Sequence, residues 1–241
     1  KVRFHEKADS EAWTGDDGKH HPDRTYDEDL ASSAEDATRK AGAVTLETVK
    51  EGKTNRRPQP PFTTETMLRG ANGRMGWAIS RTNRVATGLY QAGHITYIRT
   101  DSTRTNKDAR DRVRKVIEKE YGANHLGTGA LGPDARKGAK NVQDAHEAIR
   151  PTQPEARTLT GVDADQQALY RLIWARFAAS QMSDSVRERR DLTASVPNLN
   201  KPLYGTSSWR IHSGWEAVYS DEKTVMTSPP AAGFDIGSSW S

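Results

Sequence analysis

Leu89-Tyr90-Gln91-Ala92-Gly93-His94-Ile95-Thr96-Tyr97-Ile98-Arg99-Thr100-Asp101-Ser102-Thr103 is the stretch on which the reading of this chain turns. Gly93 marks a helix end, because glycine takes the left-handed backbone of a helix stop at little cost. The residues after it read as a short strand, and four small polar side chains close the run. On a strand, residues i and i+2 share a face, so Tyr97 and Arg99 are expected to look onto one site. A phenol titrates near pH 10 and attacks poorly until a neighbouring cation or base helps it ionise. A guanidinium alongside does this, and also grips a phosphate through two parallel N–H donors. The same spacing describes an ordinary amphipathic surface strand, so the pair alone leaves both readings open.

Three further blocks narrow the choice. They are Pro60-Pro61-Phe62-Thr63-Thr64, Gln143-Asp144-Ala145-His146-Glu147-Ala148-Ile149-Arg150-Pro151-Thr152 and Leu169-Tyr170-Arg171-Leu172-Ile173-Trp174-Ala175-Arg176-Phe177. Together with the tyrosine run, and in this order, they resemble type IA DNA topoisomerases. The likeness covers roughly residues 60–182, and the flanks match only in outline.

The resemblance implies a reaction. Such enzymes cut one DNA strand with a tyrosine, hold a 5′-phosphotyrosyl bond, pass a strand through the gap and reseal it, without ATP for relaxation. It implies Tyr97 as nucleophile and Arg99 as the group that steadies the scissile phosphate. His146 is implied beside that phosphate, where an imidazole can hydrogen-bond its oxygens or manage protons. Thr100, Asp101, Ser102 and Arg150 are expected in the DNA-binding set. Mg²⁺ is implied for the whole enzyme, on acidic ligands of a separate Toprim domain. This chain shows no Glu with an Asp-x-Asp-x-Gly cluster, so no metal is expected on it and the chain alone is expected to be inactive. The implied partners are single-stranded DNA and the remaining domains of the parent protein, a monomeric, cytoplasmic, nucleoid-associated bacterial enzyme.

Composition sets outer limits. The 241 residues hold only 34 % apolar side chains and no cysteine, which excludes disulfides and thiolate metal sites. No apolar run of membrane-spanning length occurs. The chain opens on Lys1 without a secretory segment, and reads as a piece excised from a longer protein. The net charge of +4 is uneven: residues 37–96 carry 10 basic and 3 acidic side chains, whereas residues 1–36 carry 5 and 11. Basic clusters supply the salt-sensitive, sequence-independent part of nucleic-acid binding, and the basic stretch coincides with the motifs.

The pattern predicts an α+β multidomain protein. Residues 1–60 and 187–241 are expected as a discontinuous β-rich arch, with a mostly helical, winged-helix-like tyrosine domain inserted at 61–186. Strands are predicted at Val2–His5, Ala43–Val49, Asp191–Val196 and Ser207–His212, and more weakly at Trp215–Val218. Lys53–Pro61 reads as a linker. Helices are predicted over Asp27–Lys40, from a cap at Thr64 or Thr66 to Arg69, from a cap at Ser80 to Gly93, from Thr105 or Asn106 to Tyr121, over Gln143–Ile149, and over Asp163–Met182. His20-His21 lies in a polar loop and lacks the spacing of a relaxase metal site. His146 and Arg150 do not match the His-x-x-Arg of tyrosine recombinases. Asp163-x-Asp165 reads as helix-start charge. Two alternatives remain: a non-catalytic single-stranded nucleic-acid-binding module, and a tyrosine transesterase of another class.

Overall fold

The computed structural model describes residues 2–3, 28–129, 147–197, 199, 202–219, 236–237 and 239–240. Expectations at Phe4, His5, His20, His21, Asp27 and residues 130–146, His146 included, lie outside the described residues. The chain divides into two compact units, Lys1–Thr54 with Arg187–Ile211 and Met226–Ser241, and Asn55–Val186 with His212–Val225. No helix among the described residues is long and apolar enough to cross a membrane.

The first unit is built on a five-stranded sheet, with β1 (Val2–Arg3), β2 (Val44–Arg56), β3 (Ser185–Ser195), β4 (Leu203–His212) and β5 (Ser239–Trp240) in the order β1-β4-β3-β2-β5. The edge strands pair antiparallel, Val2 opposite Gly205 and Val44 opposite Trp240. Between β2 and β3 the Arg190–Glu51 and Ser195–Glu47 side-chain bonds step in opposite directions along the two strands. Helix α1 (Glu28–Ala41) begins with Glu28 and Asp29 and ends with Arg39 and Lys40, charges that complement its dipole, and Gly42 follows at φ +67°. The core here is small: Ala34, Leu46, Val196 and Trp209 are buried, and Arg190 lies 5.0 Å over the Trp209 ring. β2 runs through Arg56, so Lys53–Arg56 is strand and not linker. A strand requires backbone partners rather than apolar side chains, and this polar end of β2 is exposed.

The second unit is helical, with α2 (Thr64–Met75), α3 (Ile79–Gln91), α4 (Lys107–Tyr121) and α5 (Ala164–Ser180). Helix α5 packs against the other three and is buried almost all round, through Leu169, Tyr170, Leu172, Ile173, Trp174 and Phe177. Its polar tips are satisfied: Trp174 Nε1 donates to the Pro154 carbonyl at 2.8 Å and Tyr170 Oη to that of Ala156 at 2.6 Å. Asp163 and Gln166 form a capping box at its start. Asn106 caps α4, whose Ala109, Val113 and Ile117 are buried and whose Tyr121 is half-buried.

Several local expectations are corrected. The α2 cap is Thr63, in a capping box with Thr66. Ala78 precedes α3 without a side-chain cap, and Ser80 sits inside the first turn. Trp215–Val218 belongs to a 3₁₀ turn, Gly214–Tyr219, and not to a strand. Of the predicted helix Gln143–Ile149, residues 147–149 are not helical, and Ile149 instead makes an antiparallel bridge to Phe62. Helix α2 runs through Gly70 and Gly73 to Met75 because Gly70 is where it touches Phe62. A Cβ on Gly70 would lie 3.0 Å from Phe62 Cζ, whereas one on Gly73 would meet nothing within 4 Å.

The segments leading into β3 and out of β4 are joined tightly within this unit. Ser183 N–H donates to the His125 carbonyl and Trp215 N–H to that of Ser183. A Cβ on Gly127 would stand 2.0 Å from the Met182 carbonyl oxygen, and one on Gly214 would stand 2.2 Å from that of Asp184. The His125 and His212 rings lie 4.8 Å apart, with His125 Nε2 at 3.0 Å from Ser213 Oγ and His212 Nε2 at 2.9 Å from Ser183 Oγ. Burial lowers the pKa of His125, and the neighbouring His212 lowers it further.

Two outcomes follow from this packing. Gly73→Ala should stabilise the protein by about 0.5–1 kcal/mol through helix propensity, while Gly70→Ala should destabilise it by about 1–3 kcal/mol through overpacking. Chemical denaturation of both variants checks the contrast, and equal shifts would refute it. Because the folded pKa of His125 is lowered, the unfolded chain takes up the proton first as pH falls. Stability is therefore full above the free imidazole value of about 6.5 and is lost below it. Melting temperature should drop as pH falls below about 6.5. His125→Gln should flatten that drop, and an unchanged slope would refute the assignment.

Candidate active site

Helix α3 ends in a glycine stop. Gly93 stands at φ +74°, its N–H donates to the Tyr90 carbonyl, and His94 N–H reaches back to that of Leu89. The chain then runs between two other stretches and bonds to both. On one side Thr152 N–H donates to the His94 carbonyl at 3.0 Å, Ile95 bridges Pro151, and Thr96 N–H donates to the Arg150 carbonyl at 2.9 Å. Thr96 Oγ1 donates to the Ala148 carbonyl at 2.7 Å and accepts from Arg150 N–H at 3.0 Å. On the other side Thr64 N–H donates to the Thr100 carbonyl at 2.9 Å. Thr64 Oγ1 donates to the Ile98 carbonyl at 2.6 Å and accepts from Thr100 N–H at 2.8 Å. The outer stretches join each other too, Ile149 N–H donating to the Phe62 carbonyl at 2.8 Å. Three of the sequence blocks thus meet through their backbones.

Tyr97 is not on a strand. Ile95 makes a single bridge, and the chain bends at Ile98 and Arg99. The physical reason is a change of partner: Thr96 bonds to residues 148–150 and Thr100 to Thr64, so no one neighbour continues the ladder past Tyr97. The strand argument for a shared face of Tyr97 and Arg99 therefore does not apply. Their exposure does agree: Ile95, Ile98 and Thr100 are buried, while Tyr97 (42 % exposed) and Arg99 reach solvent. The Tyr97 ring meets that of Tyr90 edge-on at 5.4 Å.

The other predicted residues fall into distinct settings. Thr100 and Ser102 are buried, and their hydroxyls accept from Ser102 N–H at 3.0 Å and Arg104 N–H at 3.2 Å. Asp101 is exposed. The Arg150 guanidinium is buried, donating to Glu147 Oε2 at 2.5 Å and to the Pro151 carbonyl at 2.9 Å. His146 lies outside the described residues. Sequence reasoning missed Thr64, Thr96 and Glu147 as the residues that hold this arrangement; the Thr-Thr pair after Pro60-Pro61-Phe62 was the available signal.

The tyrosine environments differ chemically. Burial pushes Tyr170 up to about 12, and also raises Tyr121 and Tyr219, so none of these three is readied for attack. Among the described residues no three His, Asp or Glu side chains group to hold an ion.

A family model described as DNA topoisomerase matches residues 1–237. DNA topoisomerase 1 of Escherichia coli is 36 % identical over 202 residues, covering 82 % of this chain and 22 % of that protein. DNA topoisomerase 1 of Thermotoga maritima is 35 % identical over 184 residues, 71 % of this chain and 28 % of that protein. The crystal structure of the full-length Thermotoga maritima topoisomerase I superposes with a TM-score of 0.71 at 27 % identity, over 92 % of this chain and 36 % of that one. The chain thus spans under a third of the length of these curated relatives. With its motifs in family order and the family model running nearly end to end, the chain belongs to the type IA DNA topoisomerases.

Proposed function

We propose that this chain carries the nucleophile of a type IA topoisomerase, in a winged-helix-like tyrosine domain at 61–186 flanked by the strands of the arch at 1–60 and 187–241. Tyr97 Oη attacks the phosphorus of one DNA phosphodiester. An Oη–P bond forms, the bond from phosphorus to the 3′ oxygen breaks, the phenol proton departs, and the released 3′ oxygen takes up a proton. The strand stays attached through a 5′-phosphotyrosyl ester, and attack by the 3′ hydroxyl reverses the step. No nucleotide is hydrolysed, since the ester conserves the bond energy. Arg99 sits beside the phosphate and neutralises charge that grows on its oxygens in the transition state. His146 handles protons or hydrogen-bonds the same phosphate. Mg²⁺, on ligands of a Toprim domain, supplies charge neutralisation in the whole enzyme.

The observation that carries the reading is the setting of Tyr97: exposed to solvent, two residues before an exposed arginine in the chain, and on a backbone held from both sides by Thr64 and Thr96. A nucleophile must be reachable and yet fixed, and the loss of order on approach is then small. A non-catalytic module that only binds single strands would need no fixed, exposed phenol.

Trapping of a covalent DNA adduct tests the proposal. The parent protein should form a 5′-linked adduct, and Tyr97→Phe should form none; a 3′ linkage would point to a recombinase instead. Arg99→Ala should slow cleavage roughly 10²- to 10³-fold, equivalent to about 2.7–4 kcal/mol. Arg99→Lys should recover little, because an ammonium does not reproduce a planar two-donor grip. His146→Ala should lower cleavage less than either. Cleavage by Arg99→Ala at the parental rate would overturn its role. The chain alone, with Mg²⁺, should leave supercoiled DNA unrelaxed in a gel assay, and relaxation that depends on Tyr97 would refute this.

A further inference from the structure

A cavity of about 550 Å³ opens in the helical unit, among the C-terminal end of α2, the exposed side of α5 and the 3₁₀ turn Gly214–Tyr219. Arg74, Arg157 and Arg171 line it, with Leu172, Trp174 and Tyr219 among its walls; among the described residues no carboxylate lines it, and neither Tyr97 nor Arg99 does. Two of the arginines are mounted on aromatic faces: the Arg74 guanidinium lies 4.2 Å over the Tyr219 ring and that of Arg157 lies 5.4 Å over Trp174. A ring holds a guanidinium by its flat face and leaves the N–H edge free to bind. Arg157 has one carboxylate near it, Glu120 at 3.5 Å, and Arg74 and Arg171 are in no ion pair among the described residues. Like charges gathered on one cavity repel, and a bound anion would offset that repulsion.

We propose that this cavity is a second binding site for the sugar–phosphate backbone of a single-stranded nucleic acid, separate from the cleavage site, with Arg74, Arg157 and Arg171 taking successive phosphates. The inference rests on the reading of the chain as part of a DNA-acting enzyme and adds a second foothold for the strand. Guanidinium edges match phosphate oxygens in pairs, the apolar wall at Leu172 suits sugar and base, and a concave site of this volume admits a strand rather than the convex face of a duplex. Arg74 and Arg171 are exposed, so their removal disturbs no core.

Fluorescence anisotropy of a labelled oligothymidylate, titrated with this chain at several salt concentrations, tests the site. The double variant Arg74→Ala/Arg171→Ala should bind about tenfold or more weakly at low salt. The slope of log affinity against log salt should become shallower by about 0.7 for each phosphate that the variant no longer neutralises. Arg171→Glu alone should weaken binding further than Arg171→Ala, with melting temperatures unchanged throughout. Parental affinity and slope in the double variant would overturn the inference and leave the proposed cleavage role intact, since covalent-adduct trapping reports on that role separately. Absence of any oligothymidylate binding by the parental chain would overturn it as well. So would an acidic peptide of equal charge that binds more tightly than the oligonucleotide and whose binding disappears in the same variants.

Discussion

Two threonine hydroxyls hold the tyrosine segment in place. Thr64 Oγ1 stands between the carbonyl of Ile98 and the N–H of Thr100, and Thr96 Oγ1 between the carbonyl of Ala148 and the N–H of Arg150. Each hydroxyl both donates to a backbone carbonyl and accepts from a backbone N–H, substituting for a missing strand neighbour at a point where the ladder stops. Backbone groups left unpaired away from water cost free energy comparable to that of a hydrogen bond, so a bent segment is stable only if side chains complete it. The buried Arg150 adds to this, tying Glu147 and Pro151 to each other behind the segment. Removing one partner of a shielded pair leaves the other charge without compensation, which is why such pairs hold an arrangement more firmly than their net stability suggests.

Much of the helical unit was legible in the sequence because its helices carry their own punctuation. Asn106, Asp163 and Gly93 mark boundaries that follow from local chemistry, and the stripes Ala109-Val113-Ile117 and Leu169-Ile173-Phe177 identify the buried faces. In two of the corrected segments a partner distant in sequence decided the conformation. Ile149 is not helical, and Phe62, far away in sequence, bridges it. Lys53–Arg56 is strand although its composition reads as linker. Helix α2 tolerates Gly70 because the aromatic ring of Phe62 fills the space that a side chain would need. At the candidate site the sequence placed Tyr97 and Arg99 on one face of a strand, whereas the segment bends there and both side chains are exposed. Of the residues expected in the DNA-binding set, Thr100, Ser102 and Arg150 are buried with hydrogen bonds to the protein, and Asp101 is exposed.

The tyrosines of the helical unit show how burial sorts one residue type into different tasks. Tyr170 donates its proton to a backbone carbonyl and is pushed up to about 12, which suits a structural donor. Tyr219 lies under the Arg74 guanidinium and helps to orient it. Tyr97 has a ring neighbour in Tyr90 and open solvent beyond it. A phenol that must meet an incoming phosphate cannot be enclosed as Tyr170 is. The helical core therefore supports the site from beneath without closing over it.

The close approaches at Gly127 and Gly214 bear on how this protein tolerates inherited change. The atoms that a Cβ would strike there are backbone carbonyls, at 2.0 and 2.2 Å, so no rotamer switch relieves the clash. At Gly70 the obstacle is an aromatic side chain, which can yield by a few tenths of an ångström. Missense variants at Gly127 or Gly214 would therefore be felt first in the backbone at Met182, Ser183 and Asp184, just ahead of β3. Such a protein could fold its helices, retain an exposed Tyr97, and still be defective, so screens that score only soluble expression would pass it.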